Sequence, residues 1–311
     1  MRNTIVNEIE ILAGEDDKIV IVTADLGYGV LNSFAQRFPE RCINVGISEQ
    51  AMASIAAGLA LTGQKVFTYS IGNFPTLRCI EQIRNDICYH NLNVKILAVG
   101  SGFVYGQLGM SHHATEDISA MRALPNMRVY APADPMEAIS VLHEAMKHEG
   151  PCYIRLGRGG EQNQHPSISH FDVNKGIEIC KGNDLNILCI GSILVEAKKA
   201  ASQLKGLGIS AGLYSMPAIK PSARGTIERL ARENKLLVTL EEHTIVGGFG
   251  GSIAEILAEM TGRCAKLCRI GLNDEFTCKV GSQEYLRDFY GVTAPKIVER
   301  ILKELKLEGF R

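Results

Sequence analysis

The sequence predicts an α/β protein made of two doubly wound domains with mostly parallel sheets. Three observations predict it. Short β-branched and aliphatic runs, such as IVIVT at 19–23 and VKILAV at 94–99, are apolar almost throughout, as suits strands covered on both faces. Longer segments of helical periodicity lie between them, the alternation expected of parallel strands joined by crossover helices. The 311 residues accommodate two domains at about 150 residues each.

In chain order, the opening MRNTIVNEIEILAGEDD is polar and acidic by position 8, unlike a secretory leader. Strands are expected over 19–23, 66–70, 94–99, 128–131 and 152–155, where β-branched residues cluster. Helices are expected over 49–61, 77–89 and 135–148. The composition then breaks at 157–169 (GRGGEQNQHPSIS), a stretch of Gly, polar residues and Pro that reads as a connection. This places one domain at 1–160, a linker at 161–173 and a second domain at 174–311. In the latter, strands are expected over 186–190, 211–215, 236–240 and 265–270, and helices over 194–207, 222–233, 250–260 and 294–305.

Composition excludes several function classes. Lys plus Arg number 33 against 34 Asp plus Glu, a net charge of −1 that offers no electrostatic case for nucleic acid or anionic membranes. Nine cysteines are scattered without a CxxC pair, so neither a zinc ribbon nor a disulfide scaffold is indicated. The apolar runs are far short of a membrane span. A soluble, cytoplasmic protein with reduced thiols is expected.

The first chemically informative segment runs from Asn44 to Gln50 into an Ala- and Gly-rich helix. The acid at its start, Glu49, fits two roles. It can complement the helix dipole, or it can be a buried carboxyl that hydrogen-bonds a ring nitrogen. Spacing alone leaves both open.

The string GISEQAMASIAAGLALTG at 46–63 resembles the catalytic-glutamate segment in the pyrimidine-binding domain of transketolases and related thiamine diphosphate enzymes. The likeness continues in order along the chain. It includes Ala24-Asp25-Leu26-Gly27, Glu81-Gln82-Ile83-Arg84-Asn85, GQLGMSHHATE at 106–116, Ala131-Pro132-Ala133-Asp134, and Tyr153 through Arg158. In the second domain, EEHTIVGGFG at 241–250 and GLNDEF at 271–276 resemble the transketolase C-terminal domain. Thiamine diphosphate enzymes hold the diphosphate through Mg²⁺ on a GDG motif, and this sequence contains none. The resemblance therefore implies the C-terminal, pyrimidine-side subunit of a split transketolase. An N-terminal subunit carrying the diphosphate domain and Mg²⁺ would complete it, most simply as an A2B2 heterotetramer. This chain is expected to hold no metal and to be inactive alone.

The resemblance also assigns roles. Glu49 would hydrogen-bond the cofactor's pyrimidine and so create its base. Phe74 would stack on the ring, with Ile71 and Leu77 where many relatives carry further aromatics, and Asp25 would be a pocket acid near the cofactor. His112 would donate to the developing oxyanion of the donor sugar, with His113 beside it as the alternative. Arg155 matches a phosphate-binding arginine and Arg158 is its neighbour, a guanidinium being suited to phosphate.

Leu108 stands where transketolases usually carry an acid that senses an acceptor hydroxyl. Gly100-Ser101-Gly102 offers none of the usual basic phosphate ligands. These departures point to transfer of a two-carbon ketol unit from a ketose phosphate to an unusual or nucleotide-linked sugar aldehyde. The Gly-rich turn at 247–251 has the wrong spacing for a dinucleotide site and reads as structural. Two competing classes are the beta subunit of a 2-oxoacid dehydrogenase complex, which shares the layout, and a non-catalytic scaffold subunit.

Overall fold

The computed structural model describes residues 1–165, 171–262 and 264–307. Part of the expected linker, 166–170, lies outside them. The first domain runs α1 (Arg2–Glu15), β1 (Ile19–Thr23), α2 (Asn32–Arg37), β2 (Cys42–Asn44), α3 (Glu49–Leu61), β3 (Lys65–Ile71), α4 (Ile80–Gln82) and β4 (Val94–Val99). It continues through α5 (Asp117–Ala123), β5 (Arg128–Tyr130), α6 (Pro135–Met146) and β6 (Cys152–Leu156). The second contains β7 (Ile177–Cys180), β8 (Leu185–Cys189), α7 (Leu194–Gly206), β9 (Ala211–Ser215), β10 (Ala218–Lys220) and α8 (Arg224–Glu233). It closes with β11 (Leu236–Thr244), α9 (Phe249–Glu259), β12 (Lys266–Leu272), α10 (Gln283–Phe289) and α11 (Ala294–Leu307).

Two sheets result, of order β10-β5-β6-β4-β3-β1-β2 and β12-β11-β8-β9-β7. All pairings are parallel except at two edges, where β10 joins β5 and β7 joins β9 antiparallel. Every residue of β1, β4 and β6 is buried, because helices cover both faces of the sheet. Each fully buried Val, Ile or Leu there contributes about 1.5–3 kcal/mol. In α3, the small residues Ala53, Ala56 and Ala57 bring the helix axis close to the sheet. The strand β10 comes from beyond the linker yet extends the first sheet, tying the domains through backbone hydrogen bonds.

The helix expected over 77–89 is irregular: a 3₁₀ turn (Leu77–Cys79), the short α4, then a π-helical segment (Ile83–Cys88). Such widened turns recur at functional sites. The Gly-rich turn after β11 is structural. Glu241 caps α9, its carboxylate oxygens accepting from Phe249 N–H at 2.7 Å and Gly250 N–H at 2.8 Å. A Cβ on Gly250 would lie 2.6 Å from Thr239 Oγ1, so helix and strand approach only because no side chain stands there.

At the start of α6, Asp134, Glu137 and His165 bring ligand-type atoms within 4.8 Å of one another. All four carboxylate oxygens are already acceptors. Asp134 accepts from the Glu137 and Gln164 amides, and Glu137 accepts from the Ala133 amide and His165 Nε2. The cluster is thus a hydrogen-bonded clamp on the chain entering the linker. No helix among the described residues is long and apolar enough to cross a membrane.

Candidate active site

The C-terminal ends of β1, β3 and β4 open onto one edge of the first sheet, where ligand sites of parallel α/β folds collect. Glu49 is the first residue of α3, reached through a turn in which Gly46 adopts φ 72°. It is only 2% exposed. Its Oε2 accepts from Arg78 Nη1 at 2.6 Å, while the Arg78 side chain is 45% exposed. The Arg78 guanidinium carbon in turn lies 4.4 Å from the centroid of the Phe74 ring. Phe74 also meets the His112 ring edge-on, centroids 5.1 Å apart. Glu49, Arg78, Phe74 and His112 therefore form one continuous line of contacts.

His112 is half-buried, and Ser111 Oγ lies 3.0 Å from its Nδ1. Burial, with the neighbouring His113, lowers its pKa below the ordinary 6.5, leaving the ring neutral at pH 7. Ile71 ends β3 half-buried, and Leu77 is exposed at the mouth of the same loop. Asp25 follows β1 at φ 54°; its Oδ1 accepts from Asn44 Nδ2 at 3.1 Å and Tyr28 OH at 3.2 Å.

The other expected residues are dispersed. His113 points the opposite way from His112 into the protein, with both ring nitrogens engaged by Thr277 and Gly106. Arg155, expected on a substrate phosphate, is 3% exposed and locked into the core. Its Nε donates to Asp117 at 2.8 Å, and Nη2 donates to the carbonyls of Ala114 at 2.6 Å and Glu242 at 3.1 Å. The reason is electrostatic: Asp117 is fully buried, and a guanidinium on the adjoining strand neutralises it. Arg158 instead lines an interdomain cleft of about 800 Å³ together with Leu108, and it lies 5.8 Å from the Tyr105 ring centroid. Leu108 is 55% exposed there.

Sequence reasoning missed Arg78. It is the sole cation between Phe74 and Glu81, and that isolation in an otherwise uncharged stretch was the available signal. It also missed Asp117, whose role depends on a strand 38 residues away.

A pyrimidine ring requires a hydrogen-bonding carboxyl and an aromatic face, and this edge provides both. Glu49 is buried, with Arg78 its one hydrogen-bond donor among the described residues, and Phe74 lies along the same line.

Residues 1–161 match the family model described as transketolase, pyrimidine binding domain, and residues 174–297 match transketolase, C-terminal domain. A 6-deoxy-6-sulfo-D-fructose transketolase subunit of Clostridium sp. (strain MSTE9) is 34% identical, over 100% of this chain and 96% of its own. A subunit of the apulose-4-phosphate transketolase of Actinobacillus succinogenes is 32% identical, over 92% of each chain. A 1-deoxy-D-xylulose-5-phosphate synthase of Heliobacterium modesticaldum is 35% identical, over 94% of this chain but 45% of its own. Among solved structures, a split gene transketolase described as an inactive beta4 tetramer is 37% identical. It has a TM-score of 0.87, over 98% of both chains.

Proposed function

The chain belongs to the transketolase family, and from that premise we propose that it is the pyrimidine-side subunit of a split, thiamine diphosphate-dependent transketolase. The observation that carries the reading is the buried Glu49 at the opening of α3, in line with Phe74 and His112. When bound, thiamine diphosphate supplies a nucleophilic carbon and an adjacent amino group as base. The residues of this chain contribute three things. Glu49 presents its buried carboxyl to the pyrimidine as a hydrogen-bond partner. Phe74 offers the flat apolar face on which that ring rests. His112, neutral at pH 7, presents an N–H to the oxygen of the donor carbonyl.

The diphosphate and Mg²⁺ belong to a partner subunit in this reading, which the lack of a GDG motif supports. Leu108 and Arg158 share the interdomain cleft and are assigned to the sugar acceptor, with Asp25 near the cofactor. An apolar side chain where an acid is usual favours an acceptor other than a standard pentose phosphate. The relatives named for 6-deoxy-6-sulfo-D-fructose and apulose 4-phosphate carry ketose names, and ketoses are donors of the ketol unit, so they support an unusual sugar on the donor side. A second reading, an acyl-transferring synthase that takes a 2-oxoacid donor, draws on the 35% identity to the 1-deoxy-D-xylulose-5-phosphate synthase.

The test mixes the chain with a candidate diphosphate-domain subunit from the same genome, thiamine diphosphate and Mg²⁺, with each protein alone as control. Ketose phosphates and pyruvate serve as alternative donors to a panel of sugar aldehydes. Ketol transfer in the mixture supports the transketolase. Turnover of pyruvate but of no ketose would move the reading to the second class.

A further inference from the structure

The segments around Glu242 and Thr277 take no part in the Glu49–Phe74–His112 line, yet both hold the loop that carries His112. Residues 101–116 leave β4, cross to the second domain and return to α5. Gly102 and Ala114 close the neck of this loop as an antiparallel bridge. From β11, Glu242 Oε1 accepts from Phe103 N–H at 2.6 Å, and the same carboxylate is fixed by Gln283 Nε2 at 2.9 Å and Arg287 Nε at 2.5 Å. Gly102 has φ 58°, and a Cβ there would overlap the Glu242 carboxylate. At the returning limb, Thr244 N–H donates to the Thr115 carbonyl at 2.9 Å.

The tip of the loop is held through His113. Its Nε2 lies 3.1 Å from the Gly106 carbonyl, which can only accept, so Nε2 carries the proton. Nδ1 therefore accepts from the Thr277 hydroxyl at 2.7 Å. The Phe103 ring packs edge-on to His113 and stacks on Tyr290, each at 5.3 Å between centroids. His113, Thr277 and Phe103 are all buried. The next residue back, His112, faces the other way onto Phe74.

We infer that the C-terminal domain sets the position of His112 by gripping the adjacent His113 and the loop's neck, with Thr277 and Glu242 as positioning residues. What His112 does there rests on the transketolase reading, whereas the grip itself does not. Two discrete hydrogen-bonded anchors, both charge-assisted or tautomer-specific, define the loop's register against the second domain. That gives this domain a part in the site through the loop it holds.

The experiment uses the full chain with labelled His and Phe, comparing Thr277→Val, its conservative counterpart Thr277→Ser, and Glu242→Gln. Two readouts are independent of turnover: amide hydrogen exchange in residues 101–116, and the nuclear Overhauser contact between the His112 and Phe74 rings. Thr277→Val should accelerate exchange in that loop by about tenfold, the loss of one buried hydrogen bond, and remove the ring contact. Thr277→Ser should restore both, and exchange in α3 should not change. Glu242→Gln, which keeps the side-chain shape, should loosen the same loop by a separate route.

Unchanged exchange and an intact ring contact in both Thr277→Val and Glu242→Gln would overturn the inference. In the assembled enzyme, kcat for Thr277→Val should fall with KM held, and Thr277→Ser should recover it. A loosened loop with no ketol transfer in any mixture would leave the grip standing and remove the transketolase reading.

Discussion

Arg78 donates to Glu49 across 2.6 Å from a position 4.4 Å over Phe74, so a planar cation with N–H donors occupies the space between the site's carboxylate and its aromatic face. The two partners differ in environment, Glu49 being 2% exposed and the Arg78 side chain 45%. The pair is neither a surface ion pair nor a fully buried one. A double-mutant cycle of Glu49→Gln and Arg78→Met, read by urea unfolding, should give a coupling of about 1 kcal/mol, between the values for those two classes. Coupling near zero would mean that the contact does not persist in solution.

The Asp117–Arg155 pair behaves differently. Asp117 also accepts from Tyr153 OH at 2.5 Å, and both ionic partners are buried. Asp117→Ala would strand a buried guanidinium and should cost about 3–5 kcal/mol of unfolding free energy. Measured by denaturant unfolding, a loss below about 1 kcal/mol would show that Arg155 finds another anion.

The His165 clamp predicts a pH dependence. Burial pulls the imidazole pKa down, but the hydrogen bond and charge of Glu137, with Asp134, outweigh it and raise the value above the ordinary 6.5. A raised folded-state pKa gives stabilisation that is fully present below pH 6.5 and lost as pH rises through the folded value. Unfolding free energy should therefore fall less steeply above pH 6.5 in His165→Asn than in the parent chain. Identical slopes would remove His165 from the clamp.

Leu108 is exposed in the cleft beside Arg158, so its replacement has little packing to lose. Leu108→Asp should change stability by less than about 0.5 kcal/mol. It should also shift the acceptor preference of the assembled enzyme toward hydroxylated pentose phosphates, read as a ratio of kcat/KM values across the acceptor panel. An unaltered ratio would place the acceptor outside this cleft.

How much of this was legible follows from where each signal resides. β1, β4 and β6 carry their signal in their own side chains, because two covering layers favour apolar residues at most positions, with Lys95 and Arg155 the buried charged exceptions. The edge strands β2 (CIN) and β10 (AIK) are three residues long, and their pairing is decided by distant partners. The irregular 77–88 segment has helical periodicity, and nothing in it announces the π turn. Motif order pointed to Glu49, Phe74 and His112 as candidates, and in the fold Arg78 touches Glu49 and Phe74 while His112 meets Phe74. Arg155 looked like a phosphate ligand because an arginine in a strand shows its charge but not its counter-ion. Asp117 lies 38 residues earlier, and only folding reveals the pair. The opposite facing of His112 and His113 likewise depends on Thr277, which is 164 residues away from His113.

The central claim, that Glu49 is the pyrimidine-side carboxyl of a site shared with a partner, is tested most directly by one comparison. Ketol transfer is measured for the stoichiometric mixture of this chain and the diphosphate-domain subunit, with thiamine diphosphate and Mg²⁺, using the parent chain and Glu49→Gln. Sedimentation confirms that both assemble. The account predicts turnover only in the mixture, and a fall of about a thousandfold or more for Glu49→Gln in an intact complex. Turnover by either protein alone, or undiminished turnover with Glu49→Gln, would contradict it.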